Sequence, residues 1–487
     1  MTSLRRFTAW TWLILCLLSP AAVARANPDP PADTVSPNAV SPNAVSPNAA
    51  PPSAAPVGSQ EDYYELFELF VDSMDQIERN YVKPVDRREL VEAAIEGMLG
   101  KLDPYSSYVP PEELAEFRAG VESSFGGIGL QVAIEEGQLK VLSPLVGSPA
   151  YKAGIIAGDR ITQIDGESTD GITMDAAVKK LKGEVGSQVT LTVKHADKEA
   201  LESYVVDREI VRVDTVLGDR RGADDSWDFM YDEQQKIGYI RVTAFGRETA
   251  ADLRAALDQL VKRQARGLIL DLRFNPGGLL TSAIEVSDMF LDTGNIVSTA
   301  GRNAPRRSWE ATAEGTFPKL PLVVLVNRYS ASASEIVAAS LQDNDRALIV
   351  GERTWGKGSV QNVIELEGGK SILKLTTASY RRPNGDNIHR FGAANENEQW
   401  GVAPDAGYRI TLSTAELGQL LRQRRLRDVV APRQRDGDAD HEEAAIEQDT
   451  QPVDDAMPVV EVPREEFVDR QLQKAVAYLG GELARAE

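Results

Sequence analysis

Cysteine is nearly missing from this chain. Among 487 residues there is one, Cys16, and it sits in an N-terminal stretch expected to be removed. With it go disulfides, thiol catalysis and cysteine-based metal sites. Histidine is scarce too: His195, His389 and His441 are the only three, so a Ser/His/Asp arrangement has few bases to draw on. No HExxH, Cys/His cluster or phosphate-binding loop occurs, and neither metal nor cofactor is implied. Clustered basic residues are also lacking. Lys and Arg number 53 against 74 Asp and Glu, a formal charge of −21, which argues against nucleic acid as a partner. Such acidity means a self-repelling, soluble surface and names no ligand. Past the first residues, no apolar run is long enough to cross a membrane.

What is present reads as several domains. Arg5 and Arg6 precede the apolar run Ala9–Leu18, and Ala24-Arg25-Ala26 is an A-x-A cleavage site. Residues 1–26 are therefore expected to be a secretory signal peptide, and the chain an exported one, periplasmic or extracellular. Residues 27–60 repeat "VSPNA" three times and predict an extended, disordered linker. Residues 61–120 predict a helical domain that opens with an amphipathic helix carrying Leu66, Phe67, Phe70, Val71, Met74 and Ile77. Residues 426–463 are acidic and predict a flexible linker. Residues 464–487 predict a last helix with Phe467, Leu472, Ala475, Val476 and Leu479 on one face. The expected architecture is mixed α+β and α/β.

From about Ser123 short strands and glycines alternate. "FGGIGLQV" and "SPAYKAGIIAGDRITQIDG" resemble a PDZ domain of the permuted bacterial type, here residues 121–207. Such a domain adds a peptide strand to an open sheet edge and holds its terminal carboxylate on backbone N–H groups. Only glycine lets a backbone come close enough to form that nest. The groove residues this resemblance implies are Gly127, Ile128, Gly129 and Leu130 from the turn, with Val178 and Leu181 from the following helix.

Residues 208–425 alternate buried strands and helices, an α/β layer architecture. "LPLVVLVN" is a buried strand, and "RYSASASEIVAASLQ" opens the helix after it. Ser330, Ser332 and Ser334 thus stand at a strand's carboxyl end, where α/β proteins place ligands. By themselves serines at a helix start are also ordinary caps. No G-x-S-x-G elbow exists. A lysine offers a base: Lys357 lies between two glycines in "GERTWGKGSVQ", with Trp355 as a candidate dry wall. A lysine serves as a base only once burial lowers its reference pKa of about 10.4 by several units. His389 is the remaining histidine route.

The segment "VLVNRYSASASEIVAASLQDNDRALIVGERTWGKGSVQ" resembles the carboxyl-terminal processing peptidases, or tail-specific proteases, whose peptidase core is crotonase-like. The resemblance implies Ser332 as nucleophile, Lys357 as general base and Gln361 as the lysine's support. "LDLRFNPGGLL" and "GMLGKLDPYSSYV" match two further family segments, the first implying Gly277 and Gly278 as oxyanion donors. Asp271, Arg273 and Glu335 read as a charged shell behind them, foremost a structural ion cluster that orients loops. The implied activity is serine endopeptidase, with protein or peptide substrates held by the C-terminal carboxylate and a homo-oligomer left open. Two features depart from the family. "RFGAANENEQ" intervenes before "WGVAPD", and the PDZ helix ends in Lys182-Gly183 where relatives can carry Arg-Gly. Two other classes fit parts of the chain: a PDZ scaffold that binds without cutting, and an acyl-CoA enzyme. The signal peptide argues against the second.

Overall fold

Four buried strands run parallel through the middle of the larger part of the molecule. Ile237–Val242, Gly267–Asp271, Leu322–Val326 and Leu348–Gly351 pair in that order, with Val216–Leu217 antiparallel at one edge. The first three are buried at every residue, which is why they read as unbroken apolar runs. Helices Thr249–Lys262, Leu280–Asp288 and Ala333–Asp343 connect them. Four loops leave the carboxyl ends of these strands, after Val242, Asp271, Val326 and Gly351; Gly277 and Gly278, Ser332 and Lys357 lie on the last three.

This is a computed structural model, and it describes residues 60–430 and 467–485 apart from 115–116, 119–123, 196–197, 199, 318, 392–393 and 395–397. The expected signal peptide, nearly all of the N-terminal linker and most of the acidic linker lie outside the described residues. The chain divides into two compact units, one built from 118–359 with 378–485, the other from 60–117 with 360–377.

In the first unit the last helix, Arg470–Arg485, lays Leu472, Ala475, Leu479 and Leu483 against Ile237, Tyr239, Ile269, Val323, Leu325 and Val350. Its apolar stripe is thus part of the core. Phe467 joins a separate small cluster with Phe274, Leu412, Leu417 and Leu420. The PDZ-like region forms its own sheet, ordered Leu130–Glu135, Gln138–Pro144, Arg160–Ile164, Gln188–Lys194 and Leu201–Asp207. Leu139, Val141, Ile161, Ile164, Leu191 and Val193 fill its core. Tyr151 Oη of this region donates to Asp225 at 2.6 Å.

In the second unit Ser107–Val109 pairs antiparallel with Ile372–Lys374. The helix Gln60–Asn80 forms as its periodicity predicts, yet Leu66, Phe67, Phe70, Val71 and Ile77 remain exposed.

Candidate active site

The serine turn is strained at one residue. Ser332 has φ 54 and ψ −116, a left-handed conformation that costs a non-glycine residue about 1–3 kcal/mol. Its neighbours in the pattern explain how the strain is held. Ser330 Oγ donates to the Leu272 carbonyl at 2.8 Å, and Ser334 Oγ donates to the Asn275 carbonyl at 2.9 Å. Two of the three serines therefore stitch the turn to the loop after Gly267–Asp271. Ser332 lies between the stitches, 2 % exposed, directly before the helix Ala333–Asp343.

Glu335, one helical turn on, is fully buried and ties together two segments. Its Oε2 accepts the N–H of Ser332 at 2.9 Å and of Lys357 at 2.8 Å. Its Oε1 accepts Thr354 Oγ1 at 2.5 Å and the Gly356 N–H at 2.7 Å. Burial pushes this carboxyl up to about 7, against the four hydrogen bonds that favour its charged form. Lys357 itself is buried. Gly356, at φ 87, must be glycine: a Cβ there would sit 2.8 Å from Arg390 Cβ and 2.9 Å from the Trp400 ring. Trp400 stacks between the guanidinium groups of Arg353 and Arg390, 4.8 and 4.6 Å from its centroid. The segment after the intervening "RFGAANENEQ" is thus built into the lysine loop, with Val402 and Thr354 exchanging hydrogen bonds. Trp355, the expected wall, is 48 % exposed.

The glycine loop meets the serine turn face to face. A Cβ on Gly277 would lie 2.7 Å from Ser332 Cβ and 2.9 Å from the Ala333 nitrogen, and its φ of 105 also demands glycine. The Gly277 N–H is turned inward to Asn275 Oδ1 at 2.8 Å. The N–H groups of Gly278 and Ala333 find no acceptor among the described residues. Both lie within one residue of the Gly277–Ser332 contact. The sequence singled out Gly277 and Gly278; Ala333 was missed. Its signal is only positional: the first helical N–H after a capping residue has no partner within its own helix.

Asp271 and Arg273 belong to a different network from Glu335. Arg273 Nη2 pairs with Asp271 at 2.7 Å and with Asp469 at 2.8 Å, and Arg424 pairs with Asp271 at 2.5 Å. Burial alone would raise Asp271, but the two guanidinium groups outweigh it and hold the carboxyl well below the usual range. Gln361 is buried in the second unit, where its Nε2 donates to Thr376 Oγ1 at 3.1 Å. His389 is part-buried, its ring edge-on to Phe391 at 4.6 Å.

In the PDZ-like region, Leu130–Glu135 is an edge strand paired only with Gln138–Pro144 among the described residues. Leu130 and Val178 are half-buried, whereas Ile128 and Leu181 belong to the core beneath. Gly126 accepts the Gly183 N–H at 3.1 Å. Arg208 donates to the Lys180 carbonyl at 2.8 Å, securing the end of the helix Met174–Leu181. Gly129 is held by Ser148 Oγ, which donates to its carbonyl at 3.1 Å. Lys182, at the position of the departure, lies 5.0 Å over the Phe125 ring.

A strained serine, a buried lysine and two amides without an acceptor among the described residues thus gather at strand carboxyl ends, in a chain that also holds a PDZ-like sheet. Comparison with known proteins agrees. The profile of Peptidase family S41 matches residues 236–406, that of a PDZ domain residues 140–195, and that of the activating protease CtpB N-terminal domain residues 43–113. A carboxy-terminal-processing protease of Bartonella bacilliformis is 38% identical over 367 residues, 74% of this chain and 81% of that protein. The carboxy-terminal processing protease CtpA of Bacillus subtilis is 37% identical over 328 residues, 67% of each. A photosystem II D1 C-terminal processing protease structure is 32% identical with a TM-score of 0.41, covering 72% of this chain and 86% of that one. The chain belongs to the carboxy-terminal processing proteases of Peptidase family S41, serine peptidases, and carries a PDZ domain. No described helix is long and apolar enough to cross a membrane.

Proposed function

We propose that this peptidase works outside the cytoplasm, in the periplasm or beyond, and cleaves peptide bonds with Ser332 as nucleophile and Lys357 as general base. One observation carries the reading. The same Glu335 carboxylate oxygen accepts the N–H groups of both Ser332 and Lys357, so one buried group fixes the two residues with respect to each other. A Ser–Lys dyad is a known variant of the triad logic. The Lys357 amine takes the Ser332 proton as Oγ attacks the scissile carbonyl. It then returns that proton to the leaving amine. The developing oxyanion falls to the unused N–H groups of Gly278 and Ala333, where two oriented donors supply the largest catalytic term. Gly277 supports them through its closeness to Ser332 rather than by donating. Gln361 is taken as the lysine's support on the family resemblance alone. Backbone N–H groups of the Gly127–Leu130 turn hold the substrate's terminal carboxylate and Val178 lines the groove beside it, while Ile128 and Leu181, expected in the groove, serve as the core beneath.

The decisive experiment compares Ser332→Ala, Lys357→Ala, Lys357→Arg and His389→Ala on an unfolded protein substrate, with fragments identified by mass spectrometry. The first three are expected to be inactive, since arginine stays protonated, while His389→Ala keeps a clear residual rate. Wild-type kcat/KM should not follow the titration of an ordinary histidine, about 6.5. An active Lys357→Ala beside an inactive His389→Ala would replace the dyad with a Ser/His mechanism. Equal binding of free-acid and amidated tail peptides would remove the carboxylate from the recognition reading.

A further inference from the structure

The geometry points to Asn275 as the positioning residue that holds the oxyanion pocket in register with the nucleophile. The inference rests on the Ser332 reading above. Asn275 is fully buried and touches neither of the two proposed catalytic side chains by a hydrogen bond. It joins three chain segments instead. Its Nδ2 donates to the Val242 carbonyl at 2.9 Å, at the end of one central strand. Its Oδ1 accepts the Gly277 N–H at 2.8 Å. Its own carbonyl accepts the Ala331 N–H at 3.0 Å and Ser334 Oγ at 2.9 Å, both on the serine turn.

These bonds decide where the two unused amides point. Asn275 Oδ1 engages the Gly277 N–H and so removes it as a donor. The Gly277 carbonyl accepts the Phe245 N–H at 2.9 Å. In a planar trans peptide the carbonyl and the following N–H point in opposite directions. The Gly278 N–H is therefore turned away from Phe245 and out of the loop. On the other side, the two bonds to the Asn275 carbonyl hold Ala331 and Ser334, which bracket Ser332 and Ala333. One side chain and one carbonyl of a single residue thus set both donors and the nucleophile. The carbonyl bonds are open to any residue, but an asparagine serving only to close a turn would need the Gly277 bond and not the Nδ2 bond to Val242.

The test uses the full chain carrying Asn275→Ala. Read against wild type, kcat is expected to fall about 100-fold, the loss typical when an oxyanion donor is removed or displaced by an ångström, with KM nearly unchanged. A peptide boronic acid, whose tetrahedral adduct on the nucleophile places an oxygen in the pocket, should weaken by about the same factor. Binding of a free tail peptide should stay at the wild-type value. A merely structural role would lower thermal stability without separating boronate affinity from tail affinity. A folded Asn275→Ala with kcat and boronate affinity within about threefold of wild type overturns the proposal, since so small a change is below any oxyanion contribution. Should that variant not fold, Ser334→Ala removes one donor to the Asn275 carbonyl. It is expected to weaken boronate affinity and kcat together by about 3–10-fold, one hydrogen bond's worth, and unchanged boronate affinity again overturns it. Ser332→Ala, run in parallel, reports separately on the dyad: an active Ser332→Ala sinks that reading, whatever Asn275 does.

Discussion

Asp271 and Glu335 are both wholly buried carboxyls behind the same set of loops, and the protein treats them in opposite ways. Asp271 sits among cations, paired with Arg273 and Arg424, and is held ionised. Glu335 has only dipoles around its oxygens, three backbone N–H groups and one hydroxyl, and burial pushes it up to about 7. The difference separates two jobs. Charge pairing fastens the last helix, through Asp469, to the loop after Gly267–Asp271. Hydrogen bonding, with no counter-ion among the described residues, aligns the serine turn with the loop that carries Lys357.

The contrast can be broken most severely at Asp271. Asp271→Asn leaves two buried guanidinium groups short of a partner, and breaking a buried pair typically costs about 3–5 kcal/mol. Denaturant unfolding at pH 7 measures it, and a loss under about 1 kcal/mol would show that the cluster is not a working ion network.

The pH dependences of the two carboxyls should run in opposite directions. Glu335's folded pKa is raised, so its contribution is present in full below about pH 4.5 and is lost as pH rises through about 7, an effect of about 3 kcal/mol. Asp271's is depressed, so its contribution is present at neutral pH and is lost as pH falls below about 4. In Glu335→Gln the amide cannot accept all four donors, so stability should fall by about 1–3 kcal/mol at pH 5. The gap to wild type should narrow or reverse by pH 8. A gap that is constant between those pH values would mean that Glu335 does not titrate there.

Smaller effects are expected at the two stitching serines. Ser330→Ala removes two buried hydrogen bonds, one given to the Leu272 carbonyl and one accepted from the Asn327 N–H, and should cost about 2 kcal/mol; Ser334→Ala removes one and should cost about 1 kcal/mol, each carbonyl keeping a backbone donor. Both variants should keep measurable proteolysis. Thermal melts and single-substrate rates suffice to check this. Complete inactivity of Ser330→Ala with Ser332→Ala still active would move the proposed nucleophile by two residues.

Much of this was legible in the linear chain. The buried parallel strands announce themselves as apolar runs such as Leu322–Val326, and the helix Arg470–Arg485 by its apolar period. The candidate Ser332, Lys357 and Gly278 came from motifs whose order and spacing agree with a family. Glu335, by contrast, was grouped with Asp271 and Arg273 because all three are charged and near motifs. Sequence carries no record of which charges face one another. Gly277 is implied as a donor by the family resemblance, yet which N–H is spent depends on the Asn275 side chain. Nothing local in "WGVAPD" marks Trp400 as the residue that packs on Gly356.

The sequence by itself determined the periodicities, the glycines where side chains would collide, and the residue types able to do acyl chemistry. These follow from local sterics and from burial, which each stretch of chain expresses in its own pattern. Only the tertiary structure decided that Glu335 should receive the amides of Ser332 and Lys357 from two separate loops, that Ser330 and Ser334 should tie the serine turn to the loop after Asp271, and that Gly278 and Ala333 should have no acceptor among the described residues. Those outcomes depend on directions of hydrogen bonds between segments distant in the chain, and a direction in space exists only once the strands have paired.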